Sequence, residues 1–291
     1  MNKTIFLDFT DLTTGLSDRI RMLCFGAAFA RVAGVINVYF DDLINDQCPY
    51  KIEEIIAIKN INLYRGWPGV GSDIITIRMT PYNSIPNVHN VLAHLPAGYN
   101  INSFAFTEKW LAEYENLFPK NSKLNYQLGL LPPKIIGIHL RAGDRLNRYP
   151  GFGLITKRQI ENYMSYEIPK IINKYERDGY FFYIAAENVN LYMKAKSKFK
   201  KLNLLIENPF IEWKKGERRG TAGDALIFDI FALAHCEKIS STIGGGVPYT
   251  ASLAGGKSWS DKYAFIYGSK IAVIFSYVRM FFTGHSKNII E

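Results

Sequence analysis

The heptapeptide His139-Leu140-Arg141-Ala142-Gly143-Asp144-Arg145 closes an apolar run, Ile135-Ile136-Gly137-Ile138. A run rich in β-branched residues reads as a buried strand. Alternation along a strand puts His139 and Arg141 on one face. A guanidinium presents a planar fork that fits two phosphate oxygens. Gly143-Asp144 turns the chain and Arg145 adds a second positive charge, so the group suits a doubly charged anion. A second reading of the same residues stays open: Arg141 and Asp144 form an ion pair that closes an ordinary turn.

Another chemical stretch runs from Gly220 to Gly256. Asp224, Phe228, Phe231 and His235 recur at helical spacing. Asp229 stands among Ile227, Phe228, Ile230 and Phe231, where a carboxylate must either face solvent or meet a partner. A short strand then leads into Thr242-Ile243-Gly244-Gly245-Gly246, with Pro248 at the start of a further helix. Backbone N–H groups of a glycine turn ahead of a helix can hold phosphate.

Other chemistries find less support. Asp41-Asp42 in "YFDDL" lacks the spacer of a metal-binding acidic motif and reads as helix capping. His89 and His94 lie five apart without an acid pattern, which does not suit zinc. No metal site is expected. There is no nucleophile elbow and no Walker loop. Cys24, Cys48 and Cys236 are odd in number and far apart, against a disulfide framework and in keeping with a reducing compartment. Cys24 falls on a helical apolar face and reads as core.

The elements that must position these residues follow from periodicity. Strands are expected at 4–9, 35–40, 73–79, 134–140, 180–186, 202–207 and 238–242. Helices are expected at 15–34, 104–118, 156–175, 189–200 and 222–235. Strand–helix–strand alternation predicts parallel sheets. "LGLLPPK" (128–134) stops a helix and stiffens the chain. It divides an N-terminal α/β domain, 1–130, from a C-terminal one, 131–291, whose last helix is free to pack back on the first. In such sheets ligands bind beyond the carboxyl ends of the strands. That accounts for a core strand ending in so much charge at 139–145.

Of the 291 residues 48% are apolar and 21% charged, the composition of a soluble globular protein with a substantial core. The net charge of +9 suits a phosphorylated small molecule, an anionic membrane surface or nucleic acid. Zinc-finger spacing, an arginine-rich arm and an RNA-binding aromatic signature are all missing, which argues against nucleic acid. The lysines from Lys194 to Lys201 read as a solvated helix face. Asp8 and Asp11 occupy the region where a signal peptide would be apolar, so a cytoplasmic location is expected. No apolar run reaches the roughly 18 residues of a spanning helix. "IAVIFSYVRMFF" (271–282) reads as a buried closing helix, or else as a helix lying in a membrane interface.

Three motifs, "TTGLSDRIRMLCFGAAFARVAG" (13–34), "GIHLRAGDR" (137–145) and "IFDIFALAHCEKISSTIGGG" (227–246), together resemble the GT-B fucosyltransferase superfamily in order and spacing. That group includes the nodulation, α-1,6-, α-1,2- and protein O-fucosyltransferases. The resemblance implies a GT-B-like α/β fold, two Rossmann-like halves with mostly parallel sheets facing a central cleft. It implies a metal-independent, inverting glycosyltransferase that moves fucose from GDP-fucose to a glycan or polysaccharide acceptor. No cofactor is implied beyond the nucleotide-sugar donor. A donor such as GDP-mannose, GDP-heptose or an activated rhamnose is the alternative, as is a non-catalytic binder of nucleotide or glycan on the same fold.

By the same resemblance, Arg141 contacts the donor diphosphate and His139 shapes that pocket beside Asp144 and Arg145. Asp229 hydrogen-bonds the guanine edge, with Ile227 and Phe228 lining the base. Ile243, Gly244, Gly245 and Gly246 hold phosphate or ribose through backbone amides. Gly15, Leu16 and Arg19 face the donor from the opposite domain. Asp18 is the candidate base for the acceptor hydroxyl, with Asp11 next; Asp18 reads equally as a first-turn acid favourable to the helix dipole. Two departures stand out. Several members carry a second arginine where this chain has Ala142, and many carry serines where it has Gly244 and Gly245. Family habit places such an enzyme in bacterial surface-polysaccharide assembly, with a lipid-linked acceptor and peripheral contact at the inner membrane face.

Overall fold

A computed structural model describes residues 3–9, 15–41, 48–69, 73–78, 102–141, 157–211, 223–242, 246–256 and 263–266. The chain divides into two compact units, Met1–Asn125 and Tyr126–Glu291. The first contains β1 (Lys3–Asp8), α1 (Leu16–Ala33), β2 (Asn37–Asp41), the single turn α2 (Ile52–Ile55), β3 (Ile56–Ile58), β4 (Asn62–Arg65), β5 (Asp73–Arg78), α3 (Ser103–Ala112) and β6 (Leu117–Pro119). Helix α4 (Ser122–Gly129) carries the chain across the division, a few residues before the boundary expected at 130. The second contains β7 (Ile135–Leu140), α5 (Lys157–Asn162), α6 (Ile168–Tyr175), β8 (Phe181–Ala186), α7 (Val189–Lys196), β9 (Leu205–Ile206), α8 (Gly223–His235), β10 (Lys238–Ser241), α9 (Gly246–Ala254) and β11 (Tyr263–Ile266). A π-helical turn, Tyr163–Glu167, joins α5 to α6.

Each unit has its own parallel sheet, as α/β alternation predicts. The first has the order β4-β2-β1-β5 and the second β11-β10-β7-β8-β9. In both, the chain builds outward on one side of its first strand and then crosses to the other side. Strand order therefore reverses between β1 and β5, and again between β7 and β10. Such a reversal leaves a crevice at the carboxyl ends of the two strands.

Strand β7 is buried at all six positions, as a central parallel strand must be. Ile136, Ile138 and Leu140 join Tyr163, Met164, Ile168 and Ile172 in one apolar cluster. On the opposite face, a Cβ added at Gly137 would stand 2.7 Å from Leu233 and 3.1 Å from the Cys236 sulfur. Gly137 thus lets α8 lie directly on the strand. Gly26 does the same in the first unit, where an added Cβ would stand 2.5 Å from Leu7. Helix α1 is buried continuously from Met22 to Ala30, which makes it a core helix rather than an amphipathic surface one. It stops at Gly34, whose φ of 70° lets its N–H reach the carbonyls of Ala30 and Arg31.

Three expected elements are shorter than their patterns suggest. The helix expected over 104–118 ends at Ala112, followed by a 3₁₀ turn at Glu113–Asn116 and strand β6. Here tertiary pairing overrides helical periodicity: β6 runs antiparallel to β3, and Lys59 N–H donates to Asn116 O at 2.9 Å. Helix α7 stops at Lys196 instead of continuing to 200. Leu202–Leu204 form a 3₁₀ turn, leaving only Leu205–Ile206 as strand. Among the described residues no helix is long and apolar enough to cross a membrane. The segment 271–282 lies outside them.

Candidate functional site

The reversal point of the second sheet brings the ends of β7 and β10 together. His139 is 4% exposed, and its Nδ1 lies 2.9 Å from Ser241 Oγ. The backbone N–H of Thr242 donates to His139 O at 3.0 Å. Thr242 Oγ1 accepts from Arg141 N–H at 2.9 Å and lies 2.9 Å from Arg141 O, to which it donates. A hydroxyl serves both roles at once, so one buried threonine fixes both sides of the Arg141 backbone. On the other flank, Glu187 N–H donates to Leu140 O at 2.9 Å. Arg141 itself is half-buried at this locked strand end.

Asp229 lies deeper, fully buried on α8. Its Oδ1 accepts from the Tyr183 hydroxyl and, at 2.8 Å, from Asn208 Nδ2. Asn208 also donates to Ala225 O at 2.8 Å and accepts from Phe210 N–H at 2.9 Å, which ties the segment after β9 to the first turn of α8. The carboxylate among apolar neighbours has therefore met partners rather than solvent. Ile227 and Phe228 are equally buried, with the Phe228 ring 6.0 Å from Tyr183 and 5.6 Å from Phe210. Tyr183, Asn208 and Ser241 escaped the sequence reading. Only the Tyr183 hydroxyl left a signal, since a phenol in an otherwise apolar strand needs a buried acceptor.

Gly15, Leu16, Asp18 and Arg19 belong to the first unit. Gly15 caps α1, and its carbonyl accepts from the N–H groups of Asp18 and Arg19 at 3.1 and 3.4 Å. Leu16 is buried, and Asp18 pairs with Arg21 at 2.9 Å one turn on. Arg19 is among the largest fully buried side chains. Its burial pulls the guanidinium below its usual range; Cys48 opposes that shift and Arg65 adds to it. Burial also raises the Cys48 thiol, against the pull of Arg19. Arg65 forks onto Glu53 at 2.6 and 2.9 Å. Burial would push the Glu53 carboxyl up, but the bond from Arg65 and further favourable contacts outweigh it and hold the group below its usual value.

The structure thus brings His139 and Arg141 together with Ser241 and Thr242, and Gly246 opens α9 just beyond. Asp229 forms a separate buried network, and Gly15 to Arg19 another. Asp144, Arg145, Ile243, Gly244, Gly245, Asp11, Asp42, His89 and His94 lie outside the described residues. Among the described residues no group of three or more His, Cys, Asp or Glu side chains could hold a metal ion.

No protein-family model matches the chain, and no curated protein is similar to it in sequence. Solved structures are similar in fold. The NodZ α-1,6-fucosyltransferase soaked with GDP-fucose superposes with a TM-score of 0.50 at 12% identity, over 87% of this chain and 93% of that one. POFUT1 in complex with GDP gives 0.51 at 10% identity, over 92% and 98%. POFUT1 in complex with GDP-fucose gives 0.50 at 11% identity, again over 92% and 98%. The chain has the fold of these GT-B fucosyltransferases.

Proposed function

We propose that this chain, built on the fold of the GT-B fucosyltransferases, is a glycosyltransferase that uses a GDP-linked sugar, with GDP-fucose the favoured donor. The observation that carries this reading is the lock at the reversal point, where Ser241 and Thr242 fix the strand end bearing His139 and Arg141. A ligand in a parallel sheet binds at such a crevice, and an arginine fork there suits a diphosphate.

In the reaction we infer, an acceptor hydroxyl displaces the nucleotide diphosphate from the anomeric carbon with inversion. The C–O bond to the diphosphate breaks as the new glycosidic bond forms, and the hydroxyl proton leaves to a base. Negative charge grows on the departing diphosphate. Arg141, Arg145 and the backbone amides of Ile243 to Gly246 neutralise it in place of a metal ion. Residues 131–291 hold the donor and 1–130 the acceptor side. Asp18 is the base we favour, and it must then give up its bond to Arg21. Asp229 selects guanine, flanked by Ile227 and Phe228. Because its carboxylate is covered, a base reaches it only if Asn208 gives way. The acceptor is a glycan, free or lipid-linked, and the setting we favour is the cytoplasm.

Protection against thermal unfolding by GDP, UDP, TDP and CDP tests the donor class, since a ligand of the native state raises its stability. GDP should protect most, and Asp229→Asn should remove that preference. Equal protection by all four would sink the guanine assignment. Release of GDP from GDP-fucose in EDTA then separates an enzyme from a non-catalytic binder and checks metal independence. Ala142, Gly244 and Gly245 depart from the family pattern, so GDP-mannose and GDP-heptose belong in the same assay.

A further inference from the structure

The amino edge of the second sheet, opposite the candidate site, carries its own chemistry. Phe181 N–H donates to Lys134 O and Glu237 N–H to Ile135 O, both at 2.9 Å, so the starts of β8, β7 and β10 lie side by side. Lys201 Nζ approaches Glu176 Oε1 at 3.4 Å, which brings the approach to β9 alongside. Lys134, Arg177, Lys198, Lys200, Lys201 and Lys238 are all exposed along this edge. Of the carboxylates among them, Glu176 meets Lys201 and Glu237 accepts from the Tyr180 hydroxyl at 2.8 Å. Asp178 is the third. Cations are in clear excess.

Apolar side chains stand beside this edge in the chain: Leu202 just ahead of β9, Met193 one turn before the end of α7 and Leu130 four residues before Lys134 are 53%, 54% and 60% exposed. Lys134 Nζ lies 5.6 Å from the Tyr180 ring, and Tyr175 packs edge-on against Tyr180 at 5.2 Å. Lysines, tyrosines and bare aliphatic side chains on one surface suit a boundary that is anionic and wet on one side and apolar on the other. A nucleic acid would use the lysines and gain nothing from Leu202 or Met193. Read along the chain alone, the lysines at 194–201 form a solvated helix face. Three-dimensional pairing sets Lys134, Arg177 and Lys238 on the same edge.

We infer that this amino edge seats the protein on a bilayer containing anionic phospholipid. The candidate site then faces away from the lipid, separated from it by the length of β7, about 20 Å for a six-residue strand. The inference does not depend on the sugar donor or on catalysis.

Flotation with vesicles of phosphatidylcholine containing about 30% phosphatidylglycerol tests it, because each lysine near such a surface contributes roughly fivefold in affinity. The protein should bind these vesicles and not pure phosphatidylcholine, and about 0.5 M salt should release it. The variant Lys134→Gln, Lys198→Gln, Lys200→Gln, Lys238→Gln should bind at least about 100-fold more weakly. Met193→Ser with Leu202→Ser should weaken vesicle binding by about tenfold or more and leave heparin binding unchanged. The melting temperature without ligand should match the wild type in both variants, which confirms that they fold. Failure of the wild type to bind the anionic vesicles would overturn the inference, as would wild-type binding by the quadruple variant. A double serine variant with undiminished vesicle binding would also overturn it, leaving a general polyanion surface.

Discussion

The two units share a strand plan and differ in how they spend their buried polar groups. Each crosses back over its first strand, and each lets a helix touch that strand through a glycine, Gly26 on Leu7 and Gly137 under Leu233. In the second unit, buried hydroxyls hold the site edge: Ser241 meets His139 and Thr242 meets Arg141 from strand to strand, and the Tyr163 hydroxyl of the π-helical turn donates to Ser240 at 2.7 Å, while the buried Asp229 carboxylate lies apart with Tyr183 and Asn208. The first unit buries a whole guanidinium at the start of α1, Arg19, and pairs Arg31 with the buried Glu113 at 2.5 Å. Short hydroxyls lock an edge without adding charge. A buried guanidinium must itself be satisfied, and it organises its own surroundings. The same fold plan therefore yields one edge that is pinned from the backbone and another that is held by charge.

The strongest way to break this contrast is Arg19→Ala. Removing one of the largest fully buried side chains leaves a cavity and strands its polar neighbours, at a cost of about 3 kcal/mol. Urea denaturation should show a lower midpoint at an unchanged slope. If stability barely moves, Arg19 is not the organiser of the first unit.

Arg141→Lys should do the reverse. It keeps one charge and loses the fork, so it should lower kcat about 100-fold while leaving the melting temperature within a degree or two. Melting temperature and single-turnover rate read on one sample separate the roles. A destabilised but fully active variant would make Arg141 a structural residue, as in the ion-pair reading with Asp144, and would remove most of the case for glycosyl transfer.

The paired glycines allow a finer comparison. Gly137→Ala forces a methyl against Leu233 and Cys236 within a strand, and overpacking of this kind costs about 1–3 kcal/mol. Gly26→Ala brings a methyl to 2.5 Å from Leu7 Cδ1 with Cδ2 and Cγ at 3.1 and 3.2 Å, but its position inside α1 returns about 1 kcal/mol of helix propensity. Gly137→Ala should therefore be the more damaging by thermal denaturation. The opposite order would mean that β1 and α1 are the tighter pair.

What the chain reveals by itself follows the same division. The strands from β7 to β8 and the helix α8 are legible because unbroken apolar runs and helical spacing mark them directly. The His139 and Arg141 strand end is legible for the same reason, with charge following a core strand. The Ser241 and Thr242 lock is not, because it depends on β10 pairing with β7 across about a hundred positions, in a register that no local pattern records. Asn208 was invisible for a related reason: it meets Asp229 only after the chain has turned beyond β9. Ribbon β3–β6 escaped because each strand has three residues, too few for a period to show.

The smallest effect concerns the charge pairing of the first unit. Glu53 and Arg65 form a fork–fork pair, with side chains 16% and 25% exposed, and a pair in this setting contributes about 1 kcal/mol. The folded protein holds the Glu53 carboxyl below the usual value of 4.5. A group lowered on folding stabilises fully when pH lies above its unfolded value and loses that contribution as pH falls through the folded one. Wild type should therefore exceed Glu53→Gln in stability near pH 7, and the gap should close as pH drops below 4.5. Chemical denaturation of both proteins across that window measures it. A gap that persisted undiminished into acid would assign the effect to the shape of the pair rather than to its charge, and would weaken the view that ionic contacts organise the first unit.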